Sequence, residues 1–182
     1  MINQKFTRTE KLNQDRRFRF AAGYVIEQEG TKPVERLIRD GIRSRFGVRQ
    51  SWVPGTKLED LTREDAEEIL KTRQWEFYDY DKIESLTIPT KIFDTHILFS
   101  PFVAIEKAES ALQSVGQTFS ETKTLDYTTR RAIEEARPQD FFPVYIEMLE
   151  NYVESKYEGR EALLKRVRRR PYRNVDASST SI

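Results

Sequence analysis

Apolar positions recur with a helical period over most of this chain. From Arg16 to Gln28, Phe18, Phe20, Ala21, Ala22, Tyr24 and Val25 fall at the spacing that gathers side chains on one helix face. Gly30, just after Glu29, is a stop signal. Between 31 and 57 the period breaks. Pro33, Gly41, Gly47, Pro54 and Gly55 punctuate short β-type runs there, which predicts an irregular or hairpin-bearing lobe. The clearest helix follows in LTREDAEEILKTRQWEFY. Thr62 occupies the N-cap position, Asp65 closes a capping box, and Ala66, Ile69, Leu70 and Trp75 form the inward stripe.

Ile88–Leu98, with Pro89 in its first turn, and Pro101–Val115 predict two further helices. TTRRAIEEA is a short one, and PQDFFPVYIEMLENYVESKY and GREALLKRVRRR close the helical part. Residues 1–15 are polar and expected to form an N-terminal arm, and 171–182 a solvated tail. The body, 16–170, reads as a single domain whose C-terminal helical part begins at about 88. The predicted fold is mainly α, with a small β or irregular lobe near 31–57.

Composition narrows the chemistry. Of 182 residues, 37% are hydrophobic and 34% charged, yet 11 Phe, 8 Tyr and 2 Trp are too many for a disordered chain. With no cysteine there is no disulfide framework and no thiolate metal site. A single histidine argues against a His-based metal centre and against a Ser-His-Asp triad. Neither a metal nor an organic cofactor is implied. The start lacks the apolar core of a signal peptide, and no apolar run approaches the roughly 20 residues that cross a bilayer. The net charge of +1 argues against nucleic acid as a partner. Six of the nine residues from Lys165 to Arg173 are basic. That segment suits an anionic polymer or an acidic protein, or is simply a solvated helix end.

Several short motifs follow one another in order: Glu29-Gly30-Thr31; Gly41-Ile42-Arg43-Ser44-Arg45-Phe46-Gly47-Val48; Leu61-Thr62-Arg63-Glu64-Asp65-Ala66 with Gln74-Trp75 beyond; Phe93-Asp94-Thr95-His96-Ile97-Leu98-Phe99-Ser100; Leu112-Gln113; and Ala162-Leu163-Leu164-Lys165-Arg166-Val167. In this order the chain resembles the phage-endolysin-like muramidases of glycoside hydrolase family 108, the EGG family, with their C-terminal peptidoglycan-binding region. The likeness runs from about Phe20 to Val167. It departs from the family pattern at Thr31, Ile42, Ser44, Leu98 and Ser100, where the family has Gly, Gly, Thr, Asn and Gly.

The resemblance implies a lysozyme-like α+β domain that cuts peptidoglycan glycan strands. Glu29 would be the general acid, with Asp40 and Ser44 stabilising charge or placing the water. Such chemistry needs a carboxylic acid that donates to the leaving oxygen, and a helix-terminal Glu against aromatics suits it. Phe46, Gly47, Trp75 and His96 are the candidate substrate contacts, and Trp52 is a second ring that could stack on sugar. The plain alternatives stand beside these: Glu29 as a solvated helix end, Asp40-Gly41 as a turn, Trp75 as core, His96 and Asp94 as structural groups. A second functional reading also stays open, a catalytically degenerate adaptor of a phage virion held to other virion proteins by the arm and the Lys165–Arg173 segment. The expected location is the host cytoplasm or the virion.

Overall fold

The computed structural model describes residues 8–30, 34–35, 43–158 and 160–171. Among these, seven α-helices dominate: α1 (Arg8–Glu29), α2 (Arg63–Leu70), α3 (Thr87–Leu98), α4 (Pro101–Ser114), α5 (Tyr127–Glu135), α6 (Pro138–Lys156) and α7 (Glu161–Arg168). The strands β1 (Val34–Glu35), β2 (Arg43–Arg45) and β3 (Val48–Arg49) form a small antiparallel sheet in that order. The fold is therefore mainly α with a small β lobe, as the pattern predicts.

The lobe is set by local chemistry. Phe46 and Gly47 join β2 to β3 with φ of +52° and +84°, the left-handed pair that a tight two-residue hairpin requires. Ser44 pairs with Val34 on one side and Arg49 on the other. Because side chains alternate along a strand, Ser44 is buried while Arg43 and Arg45 stay half-buried.

Two expectations are corrected. Helix α1 begins at Arg8, so the described part of the expected arm, residues 8–15, is helical. That stretch lacks Gly and Pro and is rich in good helix formers, so it extends the buried half of the helix without an apolar stripe of its own. It is tethered by Lys71, whose Nζ lies 2.6 Å from an Asp15 carboxylate oxygen. Residues 1–7 lie outside the described residues, as does the tail beyond Pro171. Helix α2 does carry the reciprocal Thr62–Asp65 capping box, but it ends at Leu70. The next turn, Lys71–Trp75, widens so that the Glu76 N–H donates to the Lys71 carbonyl at 2.9 Å. The wide turn brings the consecutive residues Gln74 and Trp75 both inward.

Helix α3 is the axis of the molecule. Every residue from Ile88 to Leu98 is buried, and the helix packs against α1, α4 and α6. Fully burying a side chain such as Ile92 or Phe93 contributes about 1.5–3 kcal/mol. One apolar cluster runs from Phe18 on α1 to Val167 on α7. Ser100 caps the next helix, its hydroxyl accepting from the Val103 N–H at 3.2 Å, with Pro101 at the first helical position. Among the described residues no helix is long and apolar enough to cross a membrane.

Candidate functional site

Glu29 is the last residue of α1. Gly30 follows at φ +75°, and its N–H donates to the Ile26 carbonyl at 3.0 Å, which ends the helix there. A carboxylate at a helix C-terminus meets the negative end of the helix dipole, so its stability depends on a cation brought from elsewhere. That cation is Arg166 of α7. Its Nη1 lies 2.5 Å from Glu29 Oε1, although 137 residues separate the two in sequence.

Arg166 does not serve Glu29 alone. Its Nη2 and Nε reach Asp94 Oδ1 on α3 at 2.8 and 3.2 Å. Lys91, one turn before Asp94, places its Nζ 3.2 Å from Asp94 Oδ2 and also donates to the Arg166 carbonyl at 3.2 Å. Side-chain exposure is 0% for Lys91, 1% for Asp94, 2% for Glu29 and 11% for Arg166. Two cations and two anions are thus withdrawn from water together, which buried charges tolerate only when paired. Burial alone would lower the Arg166 guanidinium, but Asp94 and then Glu29 hold it above its ordinary value. Burial works against ionised Asp94 too, yet Arg166 and then Lys91 keep its carboxyl below the usual range. In Lys91 burial outweighs Asp94, and its ammonium is pushed down. The Tyr24 hydroxyl beside the cluster is pushed up, first by burial and then by Asp94.

The β hairpin closes over this cluster. Ser44 Oγ lies 3.5 Å from Glu29 Oε2, at the outer limit of a hydrogen bond. Gly47 is packed so closely that a Cβ there would sit 3.1 Å from Ile97 Cγ2 and Val25 Cγ1, and 3.6 Å from Glu29 Cγ. Its role is close backbone approach between α1 and α3.

The other expected contacts fall elsewhere. Trp75 is 2% exposed, stacked on Tyr80 with centroids 5.2 Å apart and meeting Phe93 and Phe18 edge-on. At that exposure it is core rather than a sugar platform. His96 is also interior. Its Nε2 is 2.9 Å from Gln74 Oε1, and Tyr78, Tyr80 and Phe93 surround the ring. Burial, and secondarily Arg49, pushes its pKa down to about 3, so the imidazole is neutral. Phe46 is buried with the Arg45 guanidinium 4.8 Å above its ring. Trp52 is half-buried beneath Arg49, 5.4 Å away. Asp40 lies outside the described residues.

Several described members of the basic segment contact their own chain. Besides Arg166, Arg168 pairs with Glu150, Arg169 donates to the Gln28 side-chain oxygen at 2.5 Å, and Arg170 lies 5.9 Å from the Phe142 ring. The residues that sequence reasoning missed are Lys91 and Arg166. One signal was available: Lys91 and Asp94 sit one turn apart in a segment rich in Ile, Phe and Leu, where ionised groups require partners. Among the described residues no group of three or more His, Asp or Glu is placed to hold a metal ion. No protein-family model matches the chain, and no curated protein does.

Proposed function

We propose that the chain is a muramidase-type peptidoglycan hydrolase in which Glu29 is the general acid. The observation that carries this reading is a convergence. Glu29, Gly47, Asp94 and Arg166 stand at positions where the sequence resembles family 108, Ser44 stands where that family has Thr, and all five gather at the α1 terminus, Asp94 by way of Arg166. Core packing alone gives no reason for an α7 arginine to reach the end of α1. In the reaction Glu29 donates a proton to the leaving glycosidic oxygen, and Ser44 places water or supports the developing positive charge, with Asp40 its proposed acidic partner. Trp75 and His96 have no part in binding substrate in this reading. The substrate is the glycan strand of peptidoglycan, met from the host cytoplasm or from a virion.

The test is release of reducing ends from purified peptidoglycan. Glu29→Gln keeps an oxygen acceptor for Arg166 and leaves the Asp94 pair intact, so on this reading the variant should keep its fold, which circular dichroism checks. Its rate should fall by about 10²–10⁴, the usual contribution of general acid catalysis. No release by the unmodified protein between about pH 4 and 8, or undiminished release by Glu29→Gln, sinks the proposal.

A second reading has its own observation. All four charges are mutually paired, and two of the departures from the family pattern have structural duties here: Leu98 is core, and Ser100 caps α4. On that reading the cluster is a clamp joining α1, α3 and α7 in a non-catalytic adaptor. An inactive protein that Glu29→Gln destabilises strongly would favour it.

A further inference from the structure

We infer that Arg166 is the positioning residue of the Glu29 site: α7 supplies from the far end of the chain the guanidinium that fixes where the Glu29 carboxyl points and when it carries a proton. The inference rests on the general-acid reading of Glu29 for its catalytic arm. The geometry is a held fork. Asp94 takes the Nε and Nη2 side of the guanidinium, which leaves Nη1 aimed at Glu29. Lys91 braces both ends of the arrangement, binding Asp94 through one carboxylate oxygen and the Arg166 backbone through its carbonyl. With its guanidinium and its main chain both fastened to α3, Arg166 presents one donor in a fixed direction. The planar fork matters, because a lysine supplies a point charge without direction.

A carboxyl facing a guanidinium gives up its proton readily, whereas a general acid must hold one. In the resting arrangement Glu29 is an ion-pair acceptor. Substrate has to enter between it and Arg166, or draw Arg166 away, so that Glu29 first takes up a proton from solvent and then delivers it to the leaving oxygen. The charged and titratable groups around Arg166 among the described residues are Glu29 and Tyr24 on α1, and Lys91 and Asp94 on α3. Arg169, just past α7, extends its charge to Tyr24 and Lys91.

The experiment compares Arg166→Met and Arg166→Lys with the unmodified protein in two readouts. In peptidoglycan hydrolysis, activity declines as pH rises and Glu29 loses its proton. Arg166→Met should lower kcat about tenfold or more with little change in KM, and move that alkaline decline to higher pH. Arg166→Lys should restore the pH position but only part of kcat. Separately, carbon-13 NMR of glutamate carboxyls follows Glu29, its signal identified by loss in Glu29→Gln. Arg166→Met should leave Glu29 at least about tenfold more protonated at a given pH, as expected on losing an opposite charge at this range. If Arg166→Met fails to fold, the charge-balanced pair Arg166→Met with Asp94→Asn takes its place. An unshifted Glu29 titration overturns the inference. So does a fall in kcat that Arg166→Lys and Arg166→Met share equally with no movement in pH. If the unmodified protein hydrolyses nothing, the muramidase reading falls, and the NMR titration still decides whether Arg166 governs Glu29.

Discussion

Helix α3 carries two buried polar neighbourhoods that meet the same problem in different ways. Lys91 and Asp94 form a buried ion pair, and the fold brings Arg166 and Glu29 to complete the set. His96 lies roughly on the other side of the helix, two residues past Asp94 at about 100° per residue. It has shed its charge instead, with Gln74 its hydrogen-bond partner and Nδ1 unpartnered among the described residues. Histidine can escape the cost of burial by losing a proton near neutral pH, whereas Asp and Arg cannot do so cheaply. The difference has a structural consequence. The neutral side is met by a residue 22 positions away, while the charged side draws in Arg166, 72 positions from Asp94, and through it Glu29, 137 positions from Arg166. Buried charge therefore ties α1, α3 and α7 into one site, and the aromatic side remains plain core.

The largest way to break that contrast is to unbalance the charged side. Asp94→Ala takes away the carboxylate that the buried Lys91 and Arg166 both contact, and should cost about 3–5 kcal/mol in urea unfolding. A loss no greater than that of a surface substitution would mean that water reaches the cluster. The neutral side is tested by pH. Folded His96 binds a proton only near pH 3, while unfolded histidine does so near 6.5. Between those values the unfolded chain holds the extra proton, so stability falls as pH drops, by about 1.4 kcal/mol per unit. His96→Leu should remove that contribution to the slope between about pH 6 and 4, whatever it does to absolute stability. A slope left unchanged would show that His96 titrates normally and is less enclosed than its contacts imply. The smallest effect belongs to an arginine two places from Arg166. Arg168 has a side-chain exposure of 60% in its pair with Glu150, so Arg168→Ala should cost no more than about 1 kcal/mol and leave hydrolysis as it was. A loss approaching that of Asp94→Ala would erase the distinction between the cluster and the surrounding basic run.

The features legible in the sequence are those whose signals are local. Thr62 with Asp65, and Gly30 after Glu29, each mark a helix end through groups a few residues apart, and the apolar period identifies the other helices. The hairpin lobe announced itself through its glycines and prolines. The polar first turns of α1 did not, because a helix extended from a buried neighbour needs no apolar face. Nor did the wide turn at Lys71–Trp75, where a change of hydrogen-bond partner by one residue moved Trp75 into the core. At the candidate site Glu29 and Ser44 were singled out through motif order, while His96 and Trp75 stood open between groove and core for a shared reason. Helical spacing shows that residues share a face but not whether that face meets a groove or another helix.

By itself, then, the sequence determined a mainly helical chain, where most of its helices begin and end, a small β lobe after the first helix, and the position of Glu29 at a helix terminus. Those outcomes depend on backbone hydrogen bonding and side-chain periodicity within a few residues. Only the tertiary structure decided which of the clustered arginines turns inward, that Lys91 and Asp94 are its anchors, and that His96 is neutral. These are questions of solvation, and the free energy of a charge depends on what surrounds it in space. A guanidinium at Arg166 and one at Arg168 are the same group two residues apart. One is buried between Glu29 and Asp94, and the other stands largely in water.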